Sequence, residues 1–365
     1  MATGGLPFAP LLMSYQIPES RRTEVARLLR LLRGSRRVIL TTHLNADGDG
    51  TGCEAALLSL LSAMGKEAWI VNPTPFPESF RFLVSETERI LGAGSRAAAE
   101  RCRDADLCVV VDTGEKSRIG RVKPLVDHLT LAVVDHHPAG GDALDAVSFR
   151  DPAAAAAGEL VFDLVYAHGG PWTPSIVEGL YVAILTDTGS FRFSNATPSA
   201  HRVVAELITH GASPDGLYRR VYGDVPLRRY RLLRETLDTL EHSAEGRVAW
   251  MTVPEKVFRA LGCTSEDLDG MVDYPRGLEG VEVGLLFREI EPGQVKVSFR
   301  SNGRLDVNAL ARSFGGGGHV RASGALVRGA LEEVRERVIQ DAVEAARGMA
   351  EAGSAEPEGG KGVIE

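Results

Sequence analysis

Histidine and aspartate recur at the ends of apolar runs in the first half of this chain. Imidazole and carboxylate together form a donor set that suits Mn, Zn or Fe better than a site of oxygens alone. One such stretch is the run His43-Leu-Asn-Ala-Asp47-Gly-Asp49-Gly-Thr-Gly52. Asp47 and Asp49 would face opposite ways in extended backbone. The glycines at 48, 50 and 52 are read as freeing the chain to bend, so that His43 and Asp47 feed one metal and Asp49 a second. The alternative is a polar strand-to-helix loop whose aspartates cap the next helix. Asp112 follows Val109-Val110-Val111, at a position where aspartate also serves as a turn former. In Asp135-His136-His137, adjacent residues leaving a strand point to different sides. One histidine is then expected to bind metal and the other to face a substrate, with Asp135 orienting a histidine through a hydrogen bond; a hydrogen-bonded surface cluster is the alternative. Asp187 follows the apolar stretch Leu180–Leu185 and is either a last ligand or an ordinary helix terminus.

A second feature lies far along the chain. Phe314 is followed by Gly315, Gly316, Gly317, Gly318 and His319, then Arg321-Ala-Ser-Gly324, with Arg300-Ser301 upstream. Consecutive glycines permit close backbone approach, and their N–H groups are read as open to an anion. His319, Arg321 and Arg300 stand beside them. The alternative is a flexible loop.

The elements that must position these groups alternate in type. A basic amphipathic helix is expected around Arg21–Arg33, with Val25, Leu28, Leu29 and Leu32 at helical spacing. Strands are expected at 37–42, 68–71, 107–111 and 131–134, and helices at 53–64 and 153–168. Strands alternating with helices give an α/β fold with a mostly parallel sheet flanked by helices, in which ligands bind at the carboxyl ends of the strands. Residues 197–245 read as a helical linker. A smaller C-terminal α/β domain follows, with strands at 248–253, 281–288 and 294–300 and helices at 255–261, 306–314 and 331–347. The division is therefore an irregular lead-in at 1–20, a catalytic domain at 21–196, the linker, a substrate-binding domain at 246–347 and a disordered tail at 348–365.

The 365 residues are 44% hydrophobic and 25% charged, the balance of a globular protein with room for two cores. The net charge of −8 argues against a long electrostatic groove for duplex nucleic acid. The four cysteines form no CxxC pair and are expected to be reduced thiols. Neither a signal peptide nor an apolar stretch of membrane-spanning length is visible, so a cytoplasmic location is expected.

Motif for motif, these residues resemble the DHH phosphoesterase family. His43-x-x-x-Asp47-x-Asp49 looks like its first motif, Asp112 its second, Asp135-His136-His137 its name-giving signature and Asp187 its fourth. The resemblance implies two divalent metal ions, most often Mn2+. One would be held by His43, Asp47 and Asp112, and the other by Asp49, Asp112, His136 and Asp187, with Asp112 bridging. His137 would contact the substrate phosphate, making His137 and Asp112 the catalytic pair, and Asp135 would act from behind. The glycine run resembles the motif of the associated DHHA1 domain, which implies substrate binding by Arg300, Ser301, Gly315, Gly316, Gly317, Gly318, His319 and Arg321. Ala46 stands where the family often has proline, a departure that touches loop stiffness more than chemistry.

The combined pattern is similar to the family's NrnA-type subgroup of bifunctional oligoribonucleases and 3′-phosphoadenosine 5′-phosphate (pAp) phosphatases. The similarity implies attack by a bridging water or hydroxide on the phosphorus of short RNA (two to five nucleotides) or of pAp, with a homodimer allowed. In this reading the second domain limits substrate length. Within the family, a cyclic-dinucleotide or linear pApA phosphodiesterase and a single-strand exonuclease are the alternatives. Outside catalysis, the alternative is a nucleotide-binding module with a decayed site.

Overall fold

The computed structural model describes residues 15–223, 225–303 and 305–354. It divides into two units, residues 1–224 and 225–365.

The first unit is built on six strands, β1 (Arg37–Thr41), β2 (Glu67–Asn72), β3 (Ile90–Gly92), β4 (Leu107–Val111), β5 (Thr130–Asp135) and β6 (Val147–Arg150). All neighbours pair in parallel, in the order β3-β2-β1-β4-β5-β6. The short strands β3 and β6 carry too few apolar residues to stand out in the sequence. The helices are α1 (Glu19–Gly34), α2 (Gly48–Ala63), α3 (Arg96–Asp104), α4 (Lys123–Val126), α5 (Ala157–His168), α6 (Pro174–Asp187), α7 (Pro198–Thr209) and α8 (Pro214–Tyr218). Side chains alternate across each strand. Val38, Leu40, Val109 and Val111 enter a core with α1, α2, α5 and α6, whereas Ile39, Cys108 and Val110 enter a second core with α3. Burial on both faces explains why these strands are almost wholly apolar.

The order reverses between β1 and β4, which lie side by side but lead to connections on opposite sides. In doubly wound sheets such a switch point opens a crevice at the carboxyl ends of the strands. His43 follows β1 and Asp112 follows β4, so the fold delivers both to that crevice.

Several boundaries differ from expectation. Helix α2 starts at Gly48 rather than Cys53, so Gly48, Gly50 and Gly52 are helical. They serve packing rather than bending. A Cβ on Gly48 would strike the Thr186 side chain, one on Gly50 the Thr42 side chain, and one on Gly52 the carbonyl of Gly179. Helix α5 starts at Ala157, after Ala154–Ala156 pass in a buried non-helical turn. The stretch 197–245 divides between the units. Ala200, Val203, Val204 and Leu207 of α7 enter the first core, while α9 (Leu227–Leu237) contributes Leu232 to a cluster of the second unit.

The second unit has six strands, not three: β7 (Glu241–His242), β8 (Val248–Thr252), β9 (Val283–Glu291), β10 (Gln294–Ser301), β11 (Gly317–His319) and β12 (Ala322–Arg328), in the order β11-β12-β10-β9-β8-β7. Only β8 and β9 pair in parallel. With α10 (Glu255–Ala260) and α11 (Asp273–Arg276), α9 covers one face. The other is covered by α12 (Val307–Ser313) and α13 (Leu331–Ser354), whose Val334, Val338, Ala342 and Ala346 form one apolar stripe. Helix α13 runs on into the segment expected to be a disordered tail. The remainder of that tail, 355–365, and residues 1–14 of the expected lead-in lie outside the described residues.

Candidate metal centre and active site

The crevice gathers both kinds of donor around Asp112. His43 Nε2 is 3.2 Å from Asp112 Oδ2 and 3.7 Å from Asp47 Oδ1. His136 Nε2 is 3.4 Å from Asp112 Oδ1, 3.6 Å from Asp187 Oδ2 and 3.8 Å from Asp49 Oδ2. Two groups able to hold a cation follow, His43–Asp47–Asp112 and Asp49–His136–Asp187, and a third joins Asp112, His136 and His137. Asp112 itself adopts φ of 57°, in the left-handed region that aspartate tolerates better than most residues.

Each group is held from behind. His43 Nδ1 lies 2.8 Å from the Leu44 carbonyl, which directs Nε2 at the carboxylates. His136 Nδ1 faces the Ala154 carbonyl at 3.4 Å. Asp49 accepts the amides of Ala157 and Gly158 at 2.7 and 2.9 Å, so the N-terminus of α5 grips its carboxylate. Asp47 does serve as the helix cap that was the alternative reading, accepting from the amides of Asp49 and Gly50 at the start of α2. Its exposed carboxylate also faces His43.

His136 and His137 do not point to opposite sides. Their ring centroids are 4.4 Å apart, and His137 Nδ1 is 3.6 Å from the same Asp112 oxygen. The chain leaves the strand at Asp135, so strand alternation no longer applies. Asp135 Oδ1 accepts from both the backbone amide and Nδ1 of His137, at 3.1 and 2.8 Å, while Arg150 holds Oδ2 at 3.1 Å. Arg150 was not singled out from the sequence. Nor were the support roles of Asn195, whose Nδ2 reaches the Asp187 carbonyl at 3.1 Å, or of the α5 amides. These supports leave no compositional signal, because their partners come from distant segments.

The charges conflict as they stand. Burial and the neighbouring Asp112 push the Asp49 carboxyl well above the ordinary range, and burial pushes Asp187 up to about 7. Against the pull of burial, His136 and His43 hold Asp112 well below it. Also against burial, Asp112 lifts His136 to about 10 and, with Asp47, raises His43 well above its usual value. Two buried atoms at the centre, Asp112 Oδ1 and His136 Nε2, have no hydrogen-bond partner. The protein alone balances these charges by keeping protons on Asp49, on part of the Asp187 population and on the histidines, while Asp112 stays ionised. A divalent cation would displace those protons and occupy the unpaired atoms, so the donor set fits metal.

In the second unit, β10, β12 and β11 set Arg300, Ala322 and His319 on one rung of the sheet. Ser301 is buried, its amide donating to the Arg321 carbonyl at 3.0 Å and its Oγ accepting from Gly303. Arg321 is exposed. The glycine run is more constrained than a loop open to an anion. Gly315 (φ 75°) ends α12, and the amides of Gly315 and Gly316 are occupied by the carbonyls of Arg312 and Ala311. A Cβ on Gly316 or Gly318 would strike the backbone of β12. The close approach that glycine permits is thus first of all to a neighbouring strand. Gly317 and Gly318 remain exposed on an edge strand.

Beside the centre, Arg192 donates from Nε to the Gly189 carbonyl at 2.7 Å. The carbonyl of Arg118 accepts from the amide of Leu44 beside His43.

Residues 37–184 match the model of the DHH family, N-terminal domain, and residues 251–349 that of the DHHA1 domain. The chain is 34% identical over 337 residues to the bifunctional oligoribonuclease and PAP phosphatase NrnA of Thermus thermophilus, covering 90% of this chain and 96% of that protein. It is 28% identical to the Bacillus subtilis protein of the same name, covering 80% and 89%. A crystal structure of an exopolyphosphatase-related protein from Bacteroides fragilis shares the fold, with a TM-score of 0.80 at 24% identity over 88% of this chain and 96% of that one. With its acidic and histidine groups assembled at the switch point and both domains matched, this chain belongs to the DHH family and carries a DHHA1 domain.

Proposed function

We propose that this protein is a metal-dependent phosphoric ester hydrolase that degrades oligoribonucleotides of two to five residues to mononucleotides and dephosphorylates pAp to AMP. The observation that carries this reading is the convergence of two cation-holding groups on Asp112, whose Oδ1 is buried and unpartnered. In the proposed assignment His43, Asp47 and Asp112 hold one ion and Asp49, Asp112, His136 and Asp187 the other, with Asp112 shared. The mixed imidazole and carboxylate set suits Mn, Zn or Fe, and the resemblance to the family is what points to Mn2+ among them. When bound, such a pair supplies Lewis acidity and a water acidic enough to ionise near neutral pH.

The chain's own residues do the rest. The carboxylates and His43 and His136 would hold the cations, which would supply the charge that binds a phosphoryl group. His137, held by Asp135, stabilises charge that builds on the phosphoryl oxygens. Arg300, Ser301, Gly315–Gly318, His319 and Arg321 are assigned to binding the nucleotide, with Gly317, Gly318 and the cationic side chains offering the anion contacts. The relatives named as oligoribonucleases and PAP phosphatases support this substrate choice. Among the described residues no helix is long and apolar enough to cross a membrane. The reading includes a cytoplasmic location and allows a homodimer.

The test is a substrate panel with Mn2+, comparing kcat/KM for pAp, a diribonucleotide, a 24-mer RNA, cyclic-di-AMP and pyrophosphate. The diribonucleotide and pAp should lead. A preference for pyrophosphate, cyclic-di-AMP or the long RNA would overturn the assignment.

A further inference from the structure

The buried guanidinium of Arg21 lies outside every family motif, yet its ion pairs lead to one half of the metal centre. Helix α1 otherwise buries Val25, Leu28, Leu29 and Leu32. Arg21 takes its place in the same stripe at only 4% exposure. Burying this charge is costly unless it is fully paired. Its Nε lies 2.6 Å from Asp151 Oδ2, and its Nη1 lies 3.1 Å from Glu159 Oε2 and 3.3 Å from Asp163 Oδ2. Tyr15 donates to the other Asp163 oxygen at 2.5 Å.

Two of these carboxylates spend their second oxygen on one short stretch of backbone. Asp151 Oδ1 accepts from the Ala153 amide at 2.9 Å, and Glu159 Oε1 from the Ala155 amide at 3.2 Å. That stretch and the two amides at the start of α5 meet His136 and Asp49 directly and Asp187 through Asn195. The Ala154 carbonyl faces His136 Nδ1 at 3.4 Å. The Ala155 carbonyl accepts from Asn195 Nδ2 at 3.0 Å, and the same Nδ2 reaches the carbonyl and Oδ2 of Asp187 at 3.1 and 3.5 Å. The amides of Ala157 and Gly158 hold Asp49. The other group is supported elsewhere. His43 rests on Leu44, Asp47 on the first turn of α2, and the Asp112 amide on the Val134 carbonyl.

We propose that Arg21 is a positioning residue for the Asp49–His136–Asp187 group alone, acting through the Asp151–Gly158 backbone. The inference rests on the metal reading above. Arginine suits the task because its planar fork can bind several carboxylates in fixed directions, which a lysine ammonium cannot. Supports of this kind contribute about 10–100-fold in metal affinity.

The experiment uses full-length wild type, Arg21→Lys, Glu159→Gln and Asp163→Asn. Asp163 meets the same guanidinium, but among the described residues its carboxylate bonds Tyr15 and Arg21 rather than the 151–158 backbone, so Asp163→Asn controls for loss of stability. In the first arm, hydrogen exchange is followed in EDTA. The amides of Ala155, Ala157 and Gly158 should exchange faster in Arg21→Lys and Glu159→Gln at matched global stability, but not in Asp163→Asn. In the second arm, Mn2+ is titrated calorimetrically. One of two sites should weaken by about 10–100-fold in Arg21→Lys, with the other unchanged, and Asp163→Asn should leave both intact. Should Arg21→Lys not fold, Glu159→Gln carries the same expectations. Unchanged exchange at these amides, or equal weakening of both sites, overturns the proposal. A wild type that binds no pair of ions sinks the metal reading instead, while the exchange arm still reports on the Arg21 latch.

Discussion

His136 Nε2 lies 3.4 Å from Asp112 Oδ1, and both atoms are buried without a hydrogen-bond partner. Two polar atoms left unsatisfied in a protein interior cost free energy. Here both sit where the carboxylates of Asp49 and Asp187 also converge. The arrangement is poor for the protein alone and good for a protein carrying cations.

Asp112→Asn tests that relationship. Asparagine tolerates the φ of 57° as aspartate does, so the fold should persist. Because His43 and His136 hold the Asp112 carboxyl ionised, removing its charge should lower the thermal midpoint in EDTA at neutral pH without unfolding the protein. Hydrolysis of a diribonucleotide with Mn2+ should fall by at least about 10²–10³-fold, the scale for losing a preorganised electrostatic group. Retained turnover would contradict a shared role for Asp112.

Asp135→Asn separates orientation from metal binding. Asp135 holds His137 through Nδ1 and is itself held by Arg150. The variant should lose about 10–100-fold in kcat while its Mn2+ stoichiometry stays at the wild-type value. A parallel loss of bound metal would make Asp135 part of the cage.

The glycines of α2 give a steric prediction. Gly52 and Gly179 face each other's carbonyls across the contact of α2 and α6, with no room for a Cβ on either. Gly52→Ala should destabilise by about 1–3 kcal/mol, the usual cost of overpacking. Gly34→Ala, at the end of α1 with nothing within 4 Å of the added carbon, should be neutral or stabilising by up to about 1 kcal/mol. Urea unfolding of both variants measures the difference.

Glu54 supplies the pH dependence. It is fully buried, its Oε2 accepts from Asn72 at 2.9 Å, and burial raises its carboxyl from 4.5 to about 8. A folded pKa raised above the unfolded one means the folded state binds the proton more tightly. The stabilisation is complete below pH 4.5 and is lost as pH rises toward 8, by up to about 1.4 kcal/mol per pH unit. In EDTA, Glu54→Gln should flatten this slope and exceed wild type in stability at pH 8. Parallel curves for the two proteins would show that Glu54 does not titrate in this range.

The residues of the candidate centre were legible because charge at the end of an apolar strand is conspicuous, and the alternation of strands and helices placed them at one edge of a sheet. Their supports were not. Arg21 sits at helical spacing from Val25, Leu28 and Leu32, so its burial follows the visible stripe, but its carboxylate partners lie 130–142 residues away. The glycines at 48, 50, 52, 316 and 318 were visible as glycines. What they accommodate, Thr186, Thr42, Gly179 and strand β12, is set by tertiary packing that no local pattern encodes. Strands β11 and β12 escaped notice because glycine and small residues hide their alternation.

The central claim is that Asp112 joins two cation-holding groups into one phosphoester-cleaving centre. Its most direct test is to strip the protein with EDTA, titrate it with Mn2+, and follow mononucleotide release from a diribonucleotide alongside calorimetric binding. Turnover should be absent without metal and return only as a second equivalent binds, with Asp112→Asn failing to recover at any Mn2+ concentration. Full activity in EDTA, or full recovery at one equivalent, would contradict the account.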